Sequence, residues 1–260
     1  MCVSFFFTNF VPMKRLLIYI YALVALLLAS CTSGRHQQML AQLEELERQN
    51  VADSLMTNDS LALALAEYFD RHGTPNEQLR AHYILGRTYA DMGEAPAAIE
   101  AYLDAATRAD TTAQDCDYHT LSRVYGQMST IYNQQRLMSE YLESLKLSEY
   151  YAWEDRDTMQ ALNAKAYMIS AYELSGQYDS VISRFDSLYC LLVKYLGEEV
   201  AAMYCVLPVK SLLERGNVDS ATNYLDIYRY HSGFFDSLGN IEKGREVYYY
   251  YRGLCFLYNC

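Results

Sequence analysis

The chain is poor in the residues that interrupt helices and lacks the motifs that mark catalytic centres. Four prolines and twelve glycines punctuate 260 residues. Two-residue apolar alternation is scarce, which argues against a chain built mainly of strands. Basic side chains are outnumbered, 21 against 32 acidic, so the body of the protein repels nucleic acid and anionic headgroups, and neither DNA nor RNA is expected as a partner. No run of five or six like charges occurs, which spreads the acidity over solvated faces rather than into a tail. A single tryptophan, Trp153, stands beside 26 tyrosines. That counts against a glycan-capturing lipoprotein of a nutrient importer, which would display several exposed Trp platforms.

Chemical motifs are missing as well. His36, His72, His82, His119 and His231 are scattered, and no two have metal-ligand spacing such as H-E-x-x-H. There is no G-x-S-x-G, no Walker loop and no G-x-G-x-x-G. Glu44-Glu45 and Glu198-Glu199 read as solvated faces. Of seven cysteines, Cys2 and Cys31 belong to the leader region, leaving Cys116, Cys190, Cys205, Cys255 and Cys260. An odd number without ligand spacing specifies no disulfide framework and no metal site. These thiols read as small buried hydrophobes, with a Cys190–Cys205 bridge left open for an oxidising compartment. No enzyme, metal or cofactor is indicated.

What is present begins with a leader. Lys14-Arg15 precedes a 14-residue apolar run from Leu16 to Ala29. At about 1.5 Å per residue it spans roughly 21 Å, short of a hydrocarbon core of about 30 Å. It therefore reads as the centre of a signal peptide over 1–30. The run closes on Leu28-Ala29-Ser30-Cys31, which resembles the lipobox of bacterial lipoproteins. The resemblance implies that the Cys31 thiol takes up diacylglycerol and becomes the first residue of the mature, membrane-anchored chain. Residues 1–12 carry no charge and no signal logic, so the true start is expected at Met13. Removing 1–30 leaves 19 basic against 32 acidic side chains, a net charge of −13. The polar stretch 31–38 reads as a lipidated tether.

From residue 39 the apolar pattern is helical. One stripe begins at Met39, and a second runs from Asp59-Ser60, a capping signal, to His72-Gly73-Thr74-Pro75, a stop. Residues 79–106 then give Leu85-Gly86-x-x-Tyr89 followed by Ala98-x-x-x-Tyr102-x-x-Ala105. This resembles the tetratricopeptide repeat (TPR). Gly86 and Ala98 are small where two antiparallel helices would cross closely, Gly93 falls where the first must end, and Pro96 suits the first turn of the second. Tyr132, Tyr172, Leu212 and Phe256 recur at the Tyr89 position, at intervals of 43, 40, 40 and 44 residues. Gly176 and Gly216 repeat the inter-helix glycine, Asp179-Ser180 and Asp219-Ser220 supply capping and first-turn residues, and Phe185 and Leu225 stand where Tyr102 stood. The period exceeds the usual 34 residues and overlaps that of HEAT-like repeats, and Tyr141 occupies a position where a small residue is expected.

The wider resemblance, carried by these motifs across 13–260, is to the TPR lipoproteins abundant in Bacteroides-type bacteria. It implies an all-α fold of antiparallel helical hairpins stacked as a TPR-like right-handed solenoid over 39–260. First helices are expected near 79–92, 120–135, 159–175 and 199–215. The last residues fall inside what would be the first helix of another hairpin, so the array reads as truncated. The function implied is a non-enzymatic scaffold binding protein or peptide at the cell envelope. The alternative is the sensor part of a membrane-bound TPR regulator.

A binding face follows from the geometry of stacked hairpins, whose first helices line the concave side. Arg80, Tyr83 and Arg87 fall at i, i+3 and i+7, apart from the core stripe of His82, Leu85, Gly86 and Tyr89. Arg123, Asn133 and Asn163 would continue that face. Inward arginines in an acidic protein can hold a carboxylate bidentately, or can pair with the protein's own acid. The run Tyr248–Tyr251 reads as helix packing.

Overall fold

The computed structural model describes residues 34–258; the leader, Met13, Cys31 and Cys260 lie outside them. The described residues form twelve helices: α1 (34–51), α2 (Ser60–His72), α3 (Pro75–Asp91), α4 (Ala95–Arg108), α5 (Tyr118–Gln134), α6 (Met138–Glu154), α7 (Thr158–Leu174), α8 (Tyr178–Leu196), α9 (Glu198–Met203), α10 (Val209–Glu214), α11 (Val218–His231) and α12 (Val247–Tyr258). Among them is no strand, only one antiparallel bridge between Phe235 and Ile241. Each helix packs chiefly on its sequence neighbour, so the molecule is a stack of hairpins.

The turns show why the pattern repeats. After α3, α5, α6, α7 and α10 the chain passes through one left-handed residue: Gly93, Arg136, Arg156, Gly176 and Gly216, with φ between +59° and +82°. The next residue then donates its N–H back across the turn to the carbonyl of Tyr89, Tyr132, Ala152, Tyr172 or Leu212, at 2.8–2.9 Å. This is the Schellman bond that closes a helix end. Four of these acceptors are the positions that the sequence interval picks out, so the register is set by helix termination as much as by packing. Arg136 and Arg156 hold the left-handed conformation at a steric cost of about 1–2 kcal/mol each that glycine would not incur.

Three boundaries depart from the sequence reading. The polar stretch 34–38 is helical rather than a tether, because its side chains find distant partners: His36 Nε2 lies 3.0 Å from Glu77 and Arg35 sits over the Tyr68 ring. The helix expected over 199–215 is broken into α9 and α10. Pro208 has no N–H to give the carbonyl of Tyr204, and the chain crosses 202–209 on three-residue bonds, Cys205 to Ala202, Leu207 to Tyr204 and Val209 to Val206. Both halves still pack on α8 and α11. At α11 the cap is Asn217, whose side chain accepts the Ser220 N–H, while Asp219 lies in the first turn. Cys190 and Cys205 are free thiols, not a bridge; burial pushes the Cys205 thiol up to about 12.

The core is divided. One cluster runs from Leu43 to Ile131 and a second from Leu162 to Cys255, with Phe185 and Leu225 fully buried where Tyr102 sits in the first. Between them lies only a small group, Tyr141, Leu145 and Ala171. The α5/α6 hairpin fills this region with buried serines instead of large apolar side chains. Ser148 donates to the Ser122 carbonyl at 2.9 Å, and Ser129 to the Gly126 carbonyl at 2.7 Å. These bonds satisfy the hydroxyls, and the small side chains leave space above α6.

Candidate binding groove

That space is a groove of about 460 Å³ walled by α5 and α7 and floored by α6. The two walls come together at one end, where Gln160 Nε2 reaches Ser148 Oγ beside Gly126. Elsewhere α6 lies between them, since α5 and α7 each pack on α6 rather than on one another. Arg123, Gln127, Thr130 and Asn133 project from α5, Tyr141, Leu145 and Ser148 from α6, and Gln160, Asn163 and Tyr167 from α7. No aspartate or glutamate lines it. In a chain of net charge −11 this makes the groove a local exception.

The hydrogen-bond network aims donors into the groove. Asn163 Oδ1 accepts the Tyr204 hydroxyl at 2.8 Å, which leaves the Asn163 NH₂ group for a ligand. Burial raises the Tyr204 phenol, so it remains a donor. Gln127 Oε1 accepts from Arg87 at 3.0 Å, leaving the Gln127 NH₂ unengaged in the same way. Arg123 makes no ion pair among the described residues; its guanidinium lies 5.9 Å from the Tyr83 ring centroid. A cation–π contact of this kind uses none of the guanidinium N–H groups, which stay open to an acceptor. The lining therefore suits acceptors, such as carboxylates and peptide carbonyls.

Of the six residues that the sequence placed on one inner face, the structure brings together Arg123, Asn133 and Asn163. The other three serve the fold. Arg80 grips Glu47 of α1 through Nε at 2.7 Å and through Nη2. Arg87 donates to Asn50 at 2.9 Å, Gln127 at 3.0 Å and Asp91 at 3.0 Å. Tyr83 is buried and packs on Tyr102. The protein's own acid and amide groups thus take the donors expected to face a ligand, because α1 packs against that stretch of α3. Arg87→Ala is expected to lower stability by roughly 1–2 kcal/mol in urea unfolding, since it removes the bonds to Asn50 and Gln127 and leaves the nearly buried Asp91 carboxylate with only the Met56 N–H. An unchanged urea midpoint would contradict that role.

Gln127, Gln160, Ser148 and Tyr167 were not anticipated. The signal for three of them is a polar, acid-free stripe, Arg123, Gln127 and Thr130 at i, i+4 and i+7 on α5 and Gln160, Asn163 and Tyr167 at i, i+3 and i+7 on α7, while Ser148 on α6 carries none. Spacing alone also misses a cluster of His119, Asp155 and Asp157. His119 Nδ1 and Asp155 Oδ2 are 3.0 Å apart, and Asp157 caps α7 by accepting the Gln160 N–H. Those bonds account for the three side chains. At the far end, Tyr248 is buried as helix packing requires, while Tyr249, Tyr250 and Phe256 are exposed. Phe256 thus departs from the half-buried or buried setting of its counterparts.

No family model matches the chain, and no curated protein matches it in sequence. Solved structures do match in shape. One is a Podosopora anserina putative kinesin light chain with nearly identical TPR-like repeats, at a TM-score of 0.57 and 14% identity, covering 74% of this chain and 93% of that one. Another is BtubC (BKLC) from P. vanneervenii, at a TM-score of 0.60 and 12% identity, covering 85% of this chain and 84% of that one. At such identities the likeness is one of fold. The protein is an all-α solenoid of TPR-like hairpins, an architecture whose concave surfaces commonly serve protein–protein interaction.

Proposed function

We propose that this protein is a non-enzymatic scaffold of the bacterial cell envelope, lipid-anchored through Cys31, facing the periplasm, and holding a peptide in the groove between α5 and α7. The observation that carries the reading is the groove's acid-free, donor-rich lining in an otherwise acidic chain. A ligand presenting acidic side chains or a C-terminal carboxylate fits those donors. Long-range steering by the whole protein opposes such a ligand, so the attraction arises at contact, from partly desolvated charge-assisted bonds to Arg123. The glycan alternative loses its one platform, since Trp153 donates to Glu149 at 3.2 Å and packs against Tyr195.

Selection of random peptides with free C-termini is expected to enrich acidic or C-terminal determinants whose binding falls in Arg123→Ala. Enrichment independent of Arg123 would overturn the groove assignment. Anchoring is tested separately. Replacing Cys31 by alanine should abolish incorporation of labelled palmitate and leave the protein uncleaved or mislocalised, because the lost acyl chains contribute about 0.8 kcal/mol per buried CH₂ to anchoring. Unchanged labelling would remove the lipid anchor from the proposal.

A further inference from the structure

α7 has a second cleft on its other side. It measures about 510 Å³ and lies between α6 and α8, with α7 as its floor. Three cations from three helices line it: Lys146 of α6, Lys165 of α7 and Arg184 of α8. One acid, Glu149, lines it too, and its carboxylate is already engaged by Lys165 at 2.8 Å and by the Trp153 N–H. Lys146 pairs only with exposed Glu143, a contact that an incoming anion readily displaces. Asp186, on the same helix as Arg184, is directed to the Tyr224 hydroxyl at 2.6 Å.

Arg184 is the informative residue. It makes no ion pair among the described residues, although acid is plentiful, and its guanidinium lies 4.7 Å from the Tyr172 ring centroid. The ring anchors the guanidinium by cation–π attraction while no carboxylate takes its N–H groups, which leaves them free to donate to an anion. Ser187 and Ser183 lie on the same cleft wall, one turn apart. A guanidinium anchored on a ring, two ammonium groups and the Ser187 hydroxyl, with Ser183 donating instead to the Ser180 carbonyl, match a compact group with three or four oxygens. A flat carboxylate would leave much of that donor set unused.

We propose that this cleft is an oxyanion site, taking a phosphate or sulfate group through Arg184, Lys165 and Lys146. It is independent of the peptide groove, from which α7 separates it.

The test is titration of the full-length chain, at constant ionic strength set with chloride, with inorganic phosphate, glycerol phosphate and a glycerol phosphodiester. Saturable binding of at least one, weakened about tenfold or more in Arg184→Ala and only partly restored by Arg184→Lys, is the expected result, a tenfold loss being the scale of one good bidentate contact. Stronger binding of the free or monoester phosphate identifies a soluble ligand; stronger binding of the diester identifies a lipid-type headgroup. Arg123→Ala should bind as the parent does. Non-saturating responses to all three probes, or binding indifferent to Arg184, would overturn the site. Loss of binding in Arg123→Ala would instead move it to the peptide groove. Arg184 is exposed and carries no ion pair, so its removal leaves the fold intact, and an unchanged melting curve verifies this.

Discussion

Gly86→Leu is expected to be the most disruptive single change in the first core cluster, costing on the order of 1–3 kcal/mol through overpacking, at the upper end of that range. A Cβ at Gly86 would lie 2.5 Å from Cδ1 and Cε1 of Tyr102. Tyr102 cannot swing away, because its side chain is fully buried and packed against Tyr83. The α3/α4 crossing is built on that contact. Even Gly86→Ala must push the ring, despite gaining about 1 kcal/mol in helix propensity. Gly126 supplies the contrast, since its added Cβ would meet only side-chain atoms at 3.4 and 3.5 Å. Urea unfolding should therefore show a large loss for Gly86→Leu, a smaller one for Gly86→Ala and little change for Gly126→Ala. Shrinking the ring should rescue the first, so Gly86→Leu with Tyr102→Leu should lose less than the sum of the single changes. A Gly86→Leu midpoint equal to that of the parent would sink the close-crossing account.

The same residues explain how far the sequence could be read. Gly86, Ala98 and Tyr102 were legible because a close helix crossing demands a small residue opposite a large one at fixed spacing. The interval from Tyr89 to Leu212 was legible because helix ends recur with the packing, and the Schellman bonds place those residues at equivalent positions. What failed was everything decided across hairpins. Arg80 and Arg87 pair with Glu47, Asn50 and Gln127, 33 to 40 residues away, and no local pattern announces such partners. Tyr83 lies between two arginines in the sequence, yet turns to the core because α1 covers that part of α3. Pro208 was visible, but the apolar run around it continued a helical pattern on both sides.

The groove was half legible for a related reason. Arg123, Asn133 and Asn163 follow from the rule that first helices line the concave side. That they border a recess depends on α5 and α7 packing on α6 and not on one another, a tertiary property that goes with the small buried serines of the α5/α6 hairpin. The directions of the amide groups depend on Tyr204 and Arg87. A sequence names the amides, but only the network says which of their ends faces out.

That distinction gives the sharpest test of the groove, Asn163→Asp. The two side chains have nearly the same shape, and the introduced carboxylate would still accept the Tyr204 hydroxyl bond, in a charge-assisted form. Stability should therefore change by less than about 1 kcal/mol, since the exchange removes no packing and adds a partnered surface charge. Binding should respond strongly. The substitution replaces an NH₂ donor by an oxygen and brings negative charge into a lining that has none. With about 1.5–3 kcal/mol expected for each hydrogen bond to a charged group lost, capture of an acidic peptide should fall by a factor of about ten to a hundred. Added like-charge repulsion makes the loss larger at low salt than at high salt. Neutral peptides of the same length should lose less. Measured by fluorescence anisotropy on a selected acidic peptide, an unchanged affinity in the folded Asn163→Asp protein would mean that the donors of this groove do not hold the ligand.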